Sequence, residues 1–376
     1  MDLVADMLLQ NLQEKYCGGL KAEHLRPEYK RHWERAVPGP MRRADTAQRA
    51  FNRFVKYPRW LRHHSAGFDL FHVVDHSYAH LVHALPPGRA VVTCHDLDAF
   101  RCLFEAGGAG RSWAFQRMAA RILSGMQKAA QVLCNTGATA AELLAQGWVA
   151  PEKISVVYMG VESIFSPAPD AIADQEAELL LKRHGGTKLL HVGSVIPRKR
   201  IDVLLRVFAE IRKVIPDATL LRVGGEFTHD QQATAKQLGL ENAIVTLPFL
   251  PQRVLASVYR KASVLVLPSE REGFGLPLLE AMACGLPVVS SDVPALKEVG
   301  GKAAVYAEIG NVEAFARAVL QVFFSKSGDA EQRRQEGLRQ AEKFSWSKCA
   351  DETVRVYEKI LSTIPVKGPQ RMVRVS

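Results

Sequence analysis

Short apolar runs alternate along most of the chain with longer segments in which apolar residues recur at helical spacing. The runs are rich in valine, leucine and isoleucine and are bounded by glycine, proline or aspartate, which is typical of buried parallel strands. Their alternation with helices predicts the α/β class, with mostly parallel, doubly wound sheets. The predicted strands span residues 69–74, 89–94, 131–134, 154–158, 188–193, 219–223, 244–247, 262–267 and 288–291.

Length and one proline-bearing stretch predict how the chain divides. At 376 residues, the chain is long enough for two domains, each with a core of its own. The polar stretch at 160–169 ends in Ser-Pro-Ala-Pro and predicts a linker. The predicted domains are therefore residues 1–165 and 166–347. A helix over 348–364 follows, and then a polar, basic tail over 365–376 that is predicted to be disordered.

Residues 268–287 carry the clearest chemical pattern. After the strand at 262–267 come Glu272 and a Gly-Phe-Gly turn, and a helix is predicted to begin at a proline that suits a first helical turn. Small residues let an anion approach the unpaired amides and the positive end of such a helix. Glu280 lies about one turn into the helix and points back towards the turn. The pattern predicts a phosphate held by amides and flanked by two hydroxyl-bearing sugars that bond the two carboxylates.

The segment from Glu272 to Val288, Glu-Gly-Phe-Gly-Leu-Pro-Leu-Leu-Glu-Ala-Met-Ala-Cys-Gly-Leu-Pro-Val, resembles the E-x7-E region of retaining glycosyltransferases of family 4. The resemblance covers residues 69–362 and implies the GT-B fold, in which two Rossmann-like domains face a cleft and the helix at 348–364 crosses back to the N-terminal domain. That family has a strand and a glycine-bearing turn before its first helix, which here is predicted near residue 2. Either the true start lies upstream of Met1, or the N-terminal sheet lacks its first strand.

The resemblance implies a retaining enzyme that moves a hexose from a nucleotide-diphosphate sugar to a glycan or a lipid-linked acceptor, with no metal or other cofactor. The turn Gly-Ser-Val-Ile-Pro-Arg-Lys at 193–199 is similar to those of mannosyltransferases, which favours GDP-mannose over UDP-sugars. Two other classes stay open. One is a non-catalytic protein that binds a nucleotide sugar or a membrane surface, and the other is a GT-B epimerase or phosphorylase. The sequence has no P-loop, no G-x-G-x-x-G after a strand, no G-x-S-x-G and no cluster of metal-ligating residues.

Two kinds of polar residue follow predicted strands, where open parallel sheets bind ligands. Arg198 and Lys199 are adjacent cations at a strand-to-helix turn, and they suit a diphosphate because arginine offers a planar fork and lysine a point charge. Asp75, His76 and His95 follow the strands at 69–74 and 89–94. Of these three, His95 is the one that the resemblance places opposite the donor sugar.

The resemblance also assigns roles within the other loops. It gives the donor diphosphate to Arg198 and Lys199, the donor-sugar hydroxyls to Glu272 and the nucleotide ribose to Glu280. The family often has a basic residue directly after the glycine at 193, and this chain has serine there. The predicted catalytic residues are His95, Glu272, Arg198 and Lys199, and the predicted donor-binding residues are Gly193, Ser194, Gly273, Phe274, Gly275, Leu276 and Glu280.

Charge is concentrated near the N-terminus. The net charge of the chain is +10, and residues 29–62 hold ten lysines or arginines against two acids, interleaved with six aromatic residues. A helix is predicted from about residue 44 to 61, with a break near Pro58. Two interpretations stay open: the segment contacts an anionic membrane from the side, or its aromatic residues pack into the N-terminal domain and its arginines are solvated. Nucleic acid is not an expected partner, because no nucleic-acid-binding motif accompanies the charge.

The remaining composition predicts a protein of the cytoplasm. Under the membrane interpretation of the basic segment, the protein would contact the inner face of the plasma membrane. The sequence contains no run of about eighteen apolar residues that could span a bilayer, and Met1 opens an amphipathic helix instead of a signal peptide. Six scattered cysteines, without C-x-x-C spacing, predict buried free thiols.

Overall fold

The computed structural model describes residues 2–27, 48–104, 112–181, 186–364 and 371–375. The chain forms two compact α/β units, one of residues 1–159 and 346–376, and the other of residues 160–345. In the described residues each unit has a six-stranded sheet whose neighbouring strands are all parallel. The predicted class, with two parallel sheets, is confirmed. The units divide after residue 159, whereas the sequence placed the domain boundary after residue 165.

The first unit has the strand order β1-β12-β2-β3-β4-β5. Leu70, Val91 and Val132 lie in its inner strands and are completely buried, because helical segments cover both faces of a parallel sheet. Its strands are β1 (Leu20–His24), β2 (Leu70–Val73), β3 (Ala90–Cys94), β4 (Gln131–Cys134), β5 (Ile154–Val156) and β12 (Arg371–Val375). Its α-helices are α1 (Asp2–Tyr16), α2 (Tyr57–His64), α3 (Trp113–Lys128), α4 (Gly137–Ala145) and α13 (Trp346–Leu361), and it has 3₁₀ segments at His76–Ala84, Asp98–Leu103 and Pro151–Lys153.

The tail predicted to be disordered contains a strand, so that prediction is wrong for residues 371–375. Strand β12 lies between β1 and β2 and pairs in parallel with both. Val373 and Val375 are completely buried, and the Val375 carbonyl accepts a hydrogen bond from the backbone N–H of Leu25 at 3.0 Å. Val373, Arg374 and Val375 alternate between apolar and polar side chains, as residues of a strand do when successive side chains point to opposite faces of the sheet. This pattern forms a strand here because β1 and β2 pair with it on both sides.

The helix predicted to break near Pro58 continues through it. A π-helical turn at Asn52–Lys56 precedes α2, and the Tyr57 N–H bonds back to the Asn52 carbonyl. Pro58 is the second residue of α2 and directly follows the π-helical turn, where the regular i→i−4 hydrogen bonds of the helix are already interrupted. Residues 29–47, which hold much of the basic segment, lie outside the described residues.

A close approach of backbones joins α3 to the 3₁₀ segment at His76–Ala84. A Cβ atom on Gly125 would lie 2.0 Å from the carbonyl oxygen of Ala79, so only glycine fits there. Helix α13 is fixed to the same sheet by His72 of β2, whose Nδ1 lies 2.6 Å from the Tyr357 hydroxyl and whose Nε2 lies 2.7 Å from the Thr93 hydroxyl.

The second unit has the strand order β11-β10-β9-β6-β7-β8. Its core is built of aliphatic side chains and of Phe208 and Phe315, all of them buried. Its strands are β6 (Lys188–Val192), β7 (Thr219–Val223), β8 (Ile244–Leu247), β9 (Val264–Leu267), β10 (Val288–Ser291) and β11 (Val305–Ala307). Its helices are α5 (Ala171–Leu181), α6 (Ile201–Val214), α7 (His229–Gln237), α8 (Gln252–Lys261), α9 (Leu276–Ala283), α10 (Pro294–Gly300), α11 (Val312–Phe323) and α12 (Ser327–Ala341).

Two further expectations can be compared with the described residues. No helix among them is long and apolar enough to cross a bilayer. None of the six cysteines forms a disulfide, five are buried and Cys17 is exposed, so the prediction of thiols outside disulfides is confirmed and that of burial fails for Cys17.

Removal of residues 371–376 should destabilise the first unit. Without β12, β1 and β2 lose their partner, and two fully buried valines leave the core, each contributing about 1.5–3 kcal/mol. We expect a lower midpoint of thermal unfolding, measured by circular dichroism, for the shortened chain. Deletion of Ser376 alone is the control and should leave the midpoint unchanged. Equal midpoints for both deletions would show that β12 does not support the sheet.

Candidate functional site

The loop after β9 carries the pattern on which the sequence analysis rests. Helix α9 begins at Leu276, next to Gly275, whose φ of 92° is in the left-handed region. A Cβ atom on Gly275 would lie 2.4 Å from Cδ2 of Leu296, so both the conformation and the space require glycine. Strand, glycine turn and helix therefore follow one another as predicted, and the amides at the start of α9 face the loop.

Glu272 is held by two cations from another strand end. Its Oε1 accepts hydrogen bonds from Lys199 Nζ at 2.5 Å and from the Ser269 hydroxyl at 2.8 Å. Its Oε2 lies 3.2 Å from Arg198 Nη1, which also donates to the Arg271 carbonyl at 2.9 Å. The side chain of Glu272 is only 8% exposed. The structure thus brings three of the four predicted catalytic residues into one buried cluster.

The cations lie in a 3₁₀ turn, Pro197–Lys199, that follows β6. Arg200 ends the turn in the left-handed conformation, with a φ of 49°, and this turns the chain into α6. Two cations and one carboxylate leave one net positive charge at the carboxyl edge of the sheet. Such a site suits a phosphate or diphosphate group, because fixed charges and amides replace its water shell.

Two glycine turns meet beside this cluster. A Cβ atom on Gly224 would lie 2.1 Å from the Gly193 carbonyl oxygen, so the ends of β6 and β7 approach as closely as backbones can. The side chain of Arg222, which is completely buried, holds both turns: its Nη2 donates to the Gly193 carbonyl at 2.7 Å, and its Nη1 donates to the Gly225 carbonyl. Burial lowers the pKa of this guanidinium. We regard Arg222 as a positioning residue for Gly193.

His191 lies in β6, next to these residues, and the sequence analysis did not single it out. It is completely buried, and neither ring nitrogen has a hydrogen-bond partner among the described residues. Burial, with smaller contributions from the charges of Arg222 and Lys199, lowers the pKa of His191 to about 3. The ring is therefore neutral near pH 7. The sequence analysis missed both His191 and Arg222. The signal for each was a single polar residue inside an otherwise apolar strand, β6 for His191 and β7 for Arg222.

Glu280 does not join the Glu272 cluster through any hydrogen bond between described residues. It is buried on α9, and its Oε2 accepts a hydrogen bond from the Tyr259 hydroxyl at 2.8 Å. Burial, reinforced by the charge of Glu162 and opposed by the Tyr259 hydrogen bond, raises the pKa of Glu280 to about 7. A carboxylate with this pKa readily gains a partner that donates hydrogen bonds to it, such as a pair of hydroxyls.

The other predicted donor-binding residues differ in what they can offer. The Phe274 ring is buried, with its centroid 5.9 Å from that of Phe344, so Phe274 offers its backbone to a ligand and its ring to the core. Ser194 directly follows Gly193 after β6, and Leu276 is the first residue of α9. No group of three or more metal-ligating side chains occurs in the described part of the chain.

His95 belongs to the first unit, where it follows β3. Its Nε2 lies 2.7 Å from the Val74 carbonyl oxygen, so Nε2 carries the proton and Nδ1 is left as an acceptor, 3.5 Å from the Asn135 amide nitrogen. Burial, followed by the charge of nearby His76, lowers the pKa of His95 to about 4. His95 is therefore neutral near pH 7. His76 in turn accepts a hydrogen bond from the His95 backbone N–H and lies 3.8 Å from Asp96.

Glu280 should make the stability of the second unit depend on pH. Its folded-state pKa of about 7 lies above the ordinary value of 4.5, so its contribution is fully present below about pH 4.5 and is lost as the pH rises through 7. The free energy of unfolding of Glu280→Gln, relative to wild type, should therefore rise over this range. Glu178→Gln, at an exposed carboxylate paired with Lys261, is the control for the loss of one carboxylate from the same unit. A flat difference for Glu280→Gln would contradict the assignment.

Sequence comparisons place the chain among known proteins. The family model for glycosyl transferases group 1 matches residues 173–340, and that for glycosyltransferase family 4 matches residues 16–163. The O-antigen chain mannosyltransferase B of Escherichia coli is 30% identical over 280 residues, which are 72% of this chain and 70% of that protein. A D-inositol 3-phosphate glycosyltransferase of Streptosporangium roseum is 34% identical over 247 residues, 62% of this chain and 55% of that protein. The match thus spans little more than half the length of the second relative.

Solved structures share the fold. Anabaena Alr3699/HepE, solved in complex with UDP-glucose, has a TM-score of 0.70 at 15% identity, over 94% of this chain and 96% of that chain. WaaG, a glycosyltransferase involved in lipopolysaccharide biosynthesis, has a TM-score of 0.68 at 16% identity, over 93% and 94% of the two chains. These likenesses confirm the predicted GT-B fold.

Proposed function

We propose a specific reaction for this chain, which belongs to the family 4 glycosyltransferases. The enzyme moves a hexose from a nucleotide-diphosphate sugar to a glycan or a lipid-linked acceptor, with retention at the anomeric carbon. The observation that carries the proposal is the buried cluster of Arg198, Lys199 and Glu272 beside the amides at the start of α9. Mannose is the favoured sugar, because one relative is named a mannosyltransferase. Because a structural relative was solved with UDP-glucose bound, UDP-sugars are also tested as donors.

The charges of the cluster fit the chemistry of a leaving diphosphate. Bond breaking between the anomeric carbon and the phosphate oxygen leaves negative charge on the diphosphate, which Lys199 and Arg198 stabilise by charge-assisted hydrogen bonds. The acceptor hydroxyl attacks from the face that the diphosphate leaves and gives its proton to a phosphate oxygen. Glu272 accepts hydrogen bonds from donor-sugar hydroxyls, and Glu280 accepts them from the ribose. No step in this proposal requires an enzymic nucleophile or a metal ion.

His95 and the basic segment have supporting roles in the proposal. The Nδ1 acceptor of neutral His95, which the Asn135 amide approaches only to 3.5 Å, suits a sugar hydroxyl better than it suits an acid catalyst. Tyr57 of the basic segment is buried, and Phe54 and Trp60 pack against the core of the first unit. This favours the packing interpretation for these aromatic residues, while Arg59 and Arg62 stay exposed. We propose that any contact with an anionic membrane, at the cytoplasmic face, is made by these arginines.

Neutralisation of either cluster partner should slow the reaction. Glu272→Gln and Lys199→Ala should each lower kcat by more than about tenfold, because Lys199 stabilises charge that develops as the donor breaks and Glu272 holds Lys199, Arg198 and the donor sugar in place. Donor hydrolysis and transfer are measured by nucleotide release, and donor affinity by calorimetry. Glu270→Gln, two residues away at a carboxylate paired with Arg271, is the matched control and should keep near-wild-type turnover. Near-full activity of Glu272→Gln or Lys199→Ala would refute the site assignment.

A donor panel tests the reaction class. GDP-mannose, UDP-glucose, UDP-N-acetylglucosamine and UDP-galactose are compared by thermal shift and by slow hydrolysis, with and without a chelator. We expect one donor to stabilise the second unit and to be hydrolysed in both conditions. Loss of hydrolysis in the chelator would overturn the metal-free proposal, and silence towards every donor would favour a non-catalytic protein.

A further inference from the structure

The first unit contains a small pocket of about 250 Å³ that no part of the proposed reaction uses. Its walls come from the π-helical turn with α2, from the 3₁₀ segment at His76–Ala84 and from α3. Three arginines line it, Arg59, Arg62 and Arg121, together with His80 and His83, and no acid lines it among the residues that the structure describes. We propose that this pocket, here called the arginine pocket, binds a phosphate group, either free or as the headgroup of an acidic lipid.

The three arginines are available to a ligand. Each is exposed, and none of their guanidinium groups forms an ion pair or a hydrogen bond with any described residue. Arg53, six residues before Arg59, is occupied in contrast: it donates to the Ser77 carbonyl and lies 4.2 Å from the centre of the Tyr78 ring. Unpaired like charges around one concave surface repel one another, and a bound anion relieves that repulsion. Arginine also presents the planar fork that matches phosphate oxygens.

Two histidines line the pocket, and each has one buried ring nitrogen without a hydrogen-bond partner among the described residues. His80 is 3% exposed; its Nε2 lies 2.9 Å from the Arg53 carbonyl oxygen, and its Nδ1 has no partner among the described residues. Burial, with the charges of Arg53, Arg121 and His83, lowers the pKa of His80 to about 4. Near pH 7 the proton therefore lies on Nε2, and Nδ1 is an acceptor. The O–H of a singly protonated phosphate satisfies that acceptor while its other oxygens accept from the arginines.

Size and lining limit the ligand further. A volume of about 250 Å³ is below the range of about 300–1,000 Å³ that holds whole drug-sized ligands, so the pocket takes a headgroup and not a nucleotide. Pro58 and Ala84 add apolar surface that suits the first carbons of an ester. The wall from α3 is set by the close packing of Gly125 on Ala79. The pocket is thus a built feature of the fold, and its inference does not depend on the donor site.

Methyl phosphate is the soluble probe, and binding to the full chain is followed by the NMR shifts of the histidine rings. Arg62→Gln and Arg121→Gln should each weaken binding about tenfold, since one charge-assisted hydrogen bond is lost and about 1.4 kcal/mol corresponds to tenfold. Arg117→Gln is the matched control. It removes the same charge from α3 one turn before Arg121, at an exposed residue outside the pocket that lies over Trp113. Its affinity for methyl phosphate should stay within about twofold of wild type.

The lipid arm identifies the source of the phosphate. Co-sedimentation is measured with phosphatidylcholine vesicles that contain or lack phosphatidic acid. If the headgroup is the ligand, Arg62→Gln and Arg121→Gln lower binding to the acidic vesicles more than Arg117→Gln does; if the ligand is soluble, only the methyl phosphate arm separates the variants. Equal effects of all three substitutions in both arms, or no binding in either, would overturn the proposal. An unchanged thermal midpoint confirms that each variant is folded.

Discussion

The carboxylate of Glu272 is the group on which the order of the second unit's site depends. It joins the loop after β9 to the turn after β6, two neighbouring strands, through Lys199 and Arg198. Removing one partner of a buried ion pair leaves an unpaired charge and costs about 3–5 kcal/mol, so each partner keeps the others in place. The cations are therefore fixed before any ligand arrives. Fixed charges need no rearrangement as a leaving group develops its charge, and this is where a catalyst gains most.

Most of this site could be predicted from the sequence because it is built from strand ends. In a parallel sheet the carboxyl ends of all strands lie at one edge. The polar loops after β6 and β9 therefore lie at the same edge of the sheet. The contact between Lys199 and Glu272, 73 residues apart, could not be derived locally, because strand order decides which loops are neighbours. Arg222 and His191 were missed for a related reason. Within an apolar run a single polar residue is assigned by pattern to the core, and only the structure shows two glycine carbonyls beside Arg222.

The C-terminal strand shows the opposite limit. Residues 371–375 are too short a segment to be recognised as a strand by their apolar–polar alternation alone. They form a strand by pairing with β1 and β2, which lie about 350 and 300 residues earlier in the chain. In a strand-helix-strand unit containing α1, the first strand would pair in parallel beside β1, since such crossovers are right-handed and their strands are usually neighbours. Strand β12 holds that place. From the sequence alone, the segment before α1 and the tail at 365–376 gave no sign of a connection, whereas the sheet places the tail's strand beside β1.

The two proposed phosphate sites differ in how their cations are held. Lys199 is 9% exposed and paired with a buried carboxylate, so dissolved salt screens it little. Arg59, Arg62 and Arg121 are exposed and form no ion pair within the described part of the chain, and they lie within reach of counterions, for which the screening length is about 8 Å at physiological ionic strength. Raising the salt concentration should therefore weaken ligand binding in the arginine pocket well before it weakens donor binding. The buried carboxylate of Glu272 explains the difference: it neutralises part of the charge of its cations while the site is empty, and the arginine pocket has no such group.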